Sequence, residues 1–129
     1  MNAPGGPTRG YDFAYGLGRL AFGAGLLAAP VAVGRLLIGD EAEEPAVRVA
    51  LRTYGTRDTV LGLGTLRAAA RGGEVSPWIA AGITADALDT TLQLVEWNDL
   101  PPGKRVGGVA AAVAAAAAGI ALLAAKRAA

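Results

Sequence analysis

The sequence predicts an all-α protein, an antiparallel bundle of four transmembrane helices, and three observations carry that expectation. Of the 129 residues, 53% are hydrophobic and only 18% are charged, a composition too apolar for a disordered chain. Four long segments rich in apolar residues are separated by short turns of Gly, Pro and charged residues. The last segment, Val106 to Ala125, is an unbroken run of Val, Gly, Ala, Ile and Leu. Roughly 20 apolar residues suffice to cross a bilayer.

The elements follow in order. Residues 1–10 hold two prolines and three glycines and read as a flexible leader to a single membrane domain over 11–127. From Tyr11 to Ile38 the chain is apolar apart from Asp12, Arg19 and Arg35, which suits one tilted or kinked spanning helix over about 12–38. Pro30 removes a backbone hydrogen bond and should bend it. A signal peptide competes here, since Leu26 to Ala32 resembles a small-residue cleavage region. The stretch is long for that role and contains Arg19, so a spanning helix is the expectation. An acidic turn, Gly39 to Glu44, leads to Pro45 at the first position of a second helix over 45–70. This helix carries Arg48, Arg52, Arg57, Asp58 and Arg67 and cannot face lipid all round. After Arg71-Gly72-Gly73-Glu74, Ser76 and Pro77 open a third helix over about 77–98, with Trp78 and Trp97 placed as interfacial anchors at its ends. Pro101-Pro102-Gly103 precedes the fourth helix, over 104–126.

Short connections make such helices run alternately up and down, with both termini on one side. That side carries Arg9, Arg67, Arg71, Lys126 and Arg127. The other has Arg35, Arg48, Lys104 and Arg105 beside the acidic turn. The bias of basic residues favours a plasma-membrane protein with cytoplasmic termini. A soluble bundle would need a polar face on Val106 to Ala125, and none exists; three other helices are too few to surround it.

Whole classes of chemistry are excluded by composition. Without His or Cys there is no disulfide, thiol nucleophile, Cys/His zinc site or histidine-based triad. Twelve basic against eleven acidic residues, with no single-sign tail, argue against nucleic acid as a partner. No cofactor, metal ligand set or catalytic residue is expected, and the hydroxyls of Tyr54, Thr59 and Thr90 read as packing or hydrogen-bonding groups. Gly16-Leu17-Gly18-Arg19-Leu20-Ala21 matches a dinucleotide fingerprint only in spelling, because no βαβ unit surrounds it. Its glycines fit close helix packing instead.

The informative pattern is on the third helix, where Gly82, Asp86, Asp89, Gln93 and Glu96 recur at alternating four- and three-residue spacing and share one face. In an antiparallel arrangement Arg57 and Asp58 reach the same depth as Asp86 and Asp89. A charge at mid-bilayer costs about 2.5–3.5 kcal/mol, so these groups should pair inside the bundle or line a wet cavity. The expected cluster is Arg19, Arg52 and Arg57 against Asp58, Asp86 and Asp89, with Gln93 beside them. It serves either as an interhelical ion-pair network that sets register or as a polar site for a substrate, ion or proton.

Leu51-Arg52-Thr53-Tyr54-Gly55-Thr56-Arg57-Asp58, followed by Leu61-Gly62-Leu63, resembles the R-x-x-G-x-R-D-x-x-x-G-L signature of small uncharacterised four-helix integral membrane proteins common in actinobacteria. Gly18-Arg19, Leu26-Leu27, Pro30 and the Asp86/Asp89 helix are similar to the same pattern. Helix count and hydropathy are more distantly similar to DoxX-type membrane proteins. The resemblance implies a fold and a location but no activity. The expected function is a non-catalytic membrane subunit or interaction protein, associating with the bilayer and with itself or another membrane protein. The alternative is a small-molecule or proton-handling protein with a polar cavity between helices two and three.

Overall fold

The protein is described by a computed structural model covering residues 6–129. It is all-helical, with no strand among the described residues. Among the described residues there are five α-helices: α1 Arg9–Ala28, α2 Pro30–Ile38, α3 Pro45–Ala70, α4 Ser76–Val95 and α5 Arg105–Ala128. Short 3-10 turns, Gly39–Glu43 and Pro102–Lys104, precede α3 and α5. Of the leader expected over 1–10, residues 1–5 lie outside the described residues, and Arg9 and Gly10 already belong to α1.

The single helix expected over 12–38 is instead two, α1 and α2. The path from α1 into Pro30–Glu43 bends by 112°. Pro30 has no N–H to return to Leu26, and the residue before a proline is driven out of the helical region. Ala29 accordingly sits at φ −136°, ψ 62°, and its N–H closes α1 on the Gly25 carbonyl at 2.8 Å. The bend is thus a full corner, which lays α2 across one end of the molecule. Prolines also open α3 and α4, where the missing amide has no cost. α4 stops at Val95, short of the expected residue 98, and Trp97 lies in the turn that follows, with the Arg105 guanidinium 5.7 Å from its ring centre.

The four long helices alternate in direction. Gly16 of α1 lies against Gly62 and Leu66 of α3, and Gly23 against Gly55 and Thr59, so α1 and α3 pack antiparallel along their length. Backbone meets backbone there: a Cβ on Gly23 would stand 2.5 Å from the Thr59 nitrogen and 2.7 Å from the Gly55 oxygen. α4 and α5 form the other close pair, with Gly108 against Gln93 and Gly119 against Ile83. α3 neighbours α4 through Trp78 packed on Gly64, and α5 neighbours α1 through an ion pair between Lys126 and Asp12. α1 and α4 therefore face each other diagonally.

Two small apolar cores close the ends. One gathers Ala69, Val75, Ile79 and Leu122, flanked by Phe13 and Ile83; the other gathers Leu26, Ala42 and Leu51, flanked by Val33, Ile38 and Val47 beneath α2. The middle, where a water-soluble bundle keeps its densest apolar packing, holds the charged residues.

The outside shows the complementary inversion. Leu17, Val60, Leu63, Leu88, Leu92 and Val113 are exposed, while Asp12, Arg19, Asp58, Asp86 and Asp89 are buried. By length and apolarity alone one helix, over 102–128, can cross a membrane, with only 11% of its apolar stretch buried. The bent α1 and α2 together would make a second. Against the four spanning helices expected, length and apolarity alone mark one helix among the described residues, or two with the bent pair. α3 and α4 fall short because their charged residues lower the average, although the charges on α4 point inward.

Candidate functional site

The site is a buried charge network on one wall of a cavity. Arg19 stands midway along α1, Arg57 and Asp58 midway along α3, and Asp86 and Asp89 midway along α4, so all five meet at one level. Helical spacing places them there. Asp86 and Asp89 follow Ile79 and Gly82 on the buried stripe of α4, and Asp58 shares its stripe on α3 with Leu51, Gly55, Leu61, Gly62 and Thr65. Gly82 leaves the room in which Arg19 lies, since a Cβ there would be 2.9 Å from its Nε and Nη2.

Arg19 is the hub. One terminal nitrogen of its guanidinium donates to Asp58 Oδ1 and the other to Asp86 Oδ2, while Nε donates to the Tyr15 hydroxyl at 3.0 Å. All three nitrogens are thereby engaged, and the planar fork ties α1 to α3 and α4 together. Its central carbon lies 5.2 Å from the Tyr15 ring centre. Arg57 forms the second link. Its Nη1 is 2.7 Å from Asp89 Oδ2 and donates to Oδ1 at 2.9 Å, its Nη2 reaches Asp58 Oδ2 at 3.3 Å, and its guanidinium lies 4.8 Å from the centre of the Tyr54 ring. Sequence neighbours Arg57 and Asp58 therefore touch, and each also pairs with another helix.

Burial gives the network its weight. Arg19 and Asp89 are 8% exposed, Asp86 4% and Asp58 2%, so their charges cannot be screened by bulk solvent in the protein interior. Left unpaired, each of these carboxylates would be costly.

Of the seven residues expected in the cluster, the structure brings together Arg19, Arg57, Asp58, Asp86 and Asp89. Gln93 is half-buried beside them, donating to the Asp89 carbonyl at 3.1 Å. Arg52 is not part of it. It is exposed on α3 and makes no ion pair with the three aspartates, because it points about 120° away from Asp58 round the helix. The expected balance of three cations and three anions thus becomes two against three. Glu96, read on the same face, lies past the end of α4 and is exposed.

Sequence reasoning missed a second buried pair. Lys126 Nζ lies 2.7 Å from Asp12 Oδ2 and 3.3 Å from Thr8 Oγ1, joining the start of α1 to the end of α5. Asp12 was visible as an acid opening an apolar segment; its partner was hidden among the basic residues that close the chain. At the opposite end Lys104 pairs with Glu41, and Arg35 with Glu43, holding the acidic turn over the start of α5.

Beside the network lies a cavity of about 760 Å³ between the α1/α3 pair and the α4/α5 pair. Its walls are mainly Ala, Leu and aromatic side chains, including Phe22, Leu26, Tyr54, Ala111 and Ala115, and α2 with its following turn contributes Leu37, Ile38 and Glu41. Arg19, Arg57, Asp58, Asp86, Asp89 and Gln93 all line it. A volume in the roughly 300–1,000 Å³ range with apolar walls and a few convergent polar groups is what small-molecule sites offer. The three carboxylates do not converge as ligands of one metal ion, and no such group occurs among the described residues. Comparison of the chain with protein-family models, with curated proteins and with solved structures found no match.

Proposed function

We propose that the protein is a multi-pass integral membrane protein of the plasma membrane whose four long helices enclose a site for a small, largely apolar molecule. The carrying observation is the 760 Å³ cavity walled by apolar side chains on most sides and by a buried ion network on one. The membrane reading is supported by the inversion of polarity between inside and outside. Exposed threonines add to it: Thr53, Thr56, Thr84 and Thr91 each donate to the carbonyl four residues back, at 2.8–3.0 Å, so these hydroxyls need no water. The hydropathy shortfall of α4 comes partly from Asp86 and Asp89, which are paired inward and would not meet lipid. The resemblance to the actinobacterial membrane family fits the same reading, since Gly55 and Gly62 of its signature touch α1 while Arg57 and Asp58 enter the network.

In this role the network is scaffold and wall, not a catalyst. The test uses full-length protein in nanodiscs of zwitterionic lipid and an uncharged solvatochromic dye. Saturable dye binding above that of empty nanodiscs supports the reading, and Ala115→Trp, which projects an indole into the cavity, should abolish it. Dye signal no greater than that of empty nanodiscs overturns it.

A second reading, a non-catalytic subunit or interaction protein, is favoured by one observation. Val106, Val113 and Ile120 stand seven residues apart on α5 and are all exposed. Such a line suits a neighbouring helix as well as lipid. Disulfide cross-linking of a Val113→Cys variant in native membranes supports self-association if it gives a covalent dimer.

A further inference from the structure

The charged groups that face the cavity do not balance. Arg19, Arg57 and Lys104 line it as cations, and Glu41, Asp58, Asp86 and Asp89 line it as carboxylates. Lys104 and Glu41 are bonded to each other at the α2 end and cancel. The imbalance therefore sits in the central network, where two guanidiniums serve three aspartates.

The surplus can be assigned to a residue. Asp58 has both oxygens engaged, one by Arg19 and one by Arg57. Asp89 has both oxygens within reach of Arg57 Nη1, at 2.7 and 2.9 Å. Asp86 differs: Arg19 donates to Oδ2, and no side chain donates to Oδ1. This carboxylate is 4% exposed and lines the cavity. A carboxylate oxygen with no donor among the described residues, on the wall of an apolar space that carries one surplus negative charge, is a place for a positive partner from outside the chain. The aromatic faces that share the cavity, Phe22 in particular, add the surface on which a diffuse cation rests.

We propose that the cavity binds a lipophilic organic cation, with its positive centre beside Asp86 and its apolar groups against the alanines of α5. A bulky cation matches both features at once, the apolar volume and the single uncompensated charge. This rests on the cavity reading above and names the class of ligand that the cavity takes.

The experiment uses the full-length protein in zwitterionic nanodiscs and two nearly isosteric probes of opposite charge, tetraphenylphosphonium and tetraphenylborate, with the uncharged dye alongside. The expected result is saturable binding of tetraphenylphosphonium that exceeds tetraphenylborate by about tenfold or more in affinity, equivalent to about 1.4 kcal/mol. Asp86→Asn should remove the preference and Asp86→Glu should keep it. Because loss of the buried charge can disturb folding, Gln93→Lys provides a second route: it adds a cation to the cavity wall and leaves Asp86 in place. That variant, checked for an unchanged thermal transition, should also lose the preference for the cation. Equal binding of the two probes, with the dye still bound, overturns the proposal and leaves the cavity reading intact. Failure of all three compounds to bind overturns both readings.

Discussion

Arg19 and Asp86 face each other across the diagonal of the bundle, and their ion pair, buried on both sides, is the link between α1 and α4. Because Arg19 holds Asp58 with its other terminal nitrogen, replacing it strands Asp86 in the interior and leaves Asp58 with Arg57 alone. Arg19→Met should therefore destabilise the protein by about 3–5 kcal/mol, the cost of breaking a buried pair by removing one partner. Arg19→Lys should recover only part of this, since an ammonium has no planar fork to span two helices. Thermal unfolding in detergent followed by far-UV circular dichroism ranks wild type above Arg19→Lys above Arg19→Met. An Arg19→Met transition equal to wild type would remove the network from the fold's stability.

The glycines of α1 divide by what a methyl group would meet. Gly23→Ala drives a Cβ into the backbone of α3 and should cost about 1–3 kcal/mol, because neither helix can yield without separating the pair. Gly18, two residues after Gly16 on the same helix, has nothing within 4 Å of that position. There the substitution removes only a flexible helix residue and should stabilise by up to about 1 kcal/mol. Opposite signs of the two shifts in thermal midpoint check the packing directly.

Arg52 and Arg57 look equivalent in a list of charged residues on α3, and they separate cleanly in space. Arg52→Ala should change stability by no more than about 0.5 kcal/mol, as for other exposed positions without partners. Arg57→Ala should cost several times that, since it leaves Asp89 without its guanidinium. The same measurement on both variants suffices, and a large loss for Arg52→Ala would place it back in the network.

The helical class, the span of α3 and five of the seven network residues were legible because helical periodicity and the penalty on buried charge act locally and can be counted along a chain. Arg52 was misplaced because depth was considered without azimuth: it lies six residues before Asp58, about a third of a turn out of phase. The corner at Ala29 was legible as a proline and not as an angle, since a bend of any size satisfies the missing hydrogen bond and tertiary contacts choose among them. A polar cavity between the second and third helices was expected as the alternative, from the charges alone; the large apolar part of the observed cavity had no sequence signal. It arises from where two helix pairs stop approaching each other, a property of packing that no single segment records.

Asp12 and Lys126 tie the start of α1 to the end of α5, both almost fully buried. Lys126→Met leaves Asp12 without a partner charge and should cost roughly 2–4 kcal/mol, near the lower end for a broken buried pair because the site is close to the helix ends. The adjacent Arg127 is exposed, so Arg127→Ala should be close to neutral, within about 0.5 kcal/mol. Limited proteolysis near the chain ends should report the difference, with faster cleavage only in Lys126→Met.

The exposed face of α5 separates a bilayer from water as the surrounding medium. Val113 lies in the interior of α5 and Val106 at its first turn, and both are exposed. In water an aspartate at either position would be tolerated equally, within about 0.5 kcal/mol. In lipid the cost depends on depth: about 2.5–3.5 kcal/mol near the bilayer centre and much less near the interface. Val113→Asp should therefore shift protein out of the carbonate-resistant membrane fraction, whereas Val106→Asp should leave it there. Equal behaviour of the two variants, with the protein in the soluble fraction, would mean that α5 meets water and that its apolar face awaits another protein surface.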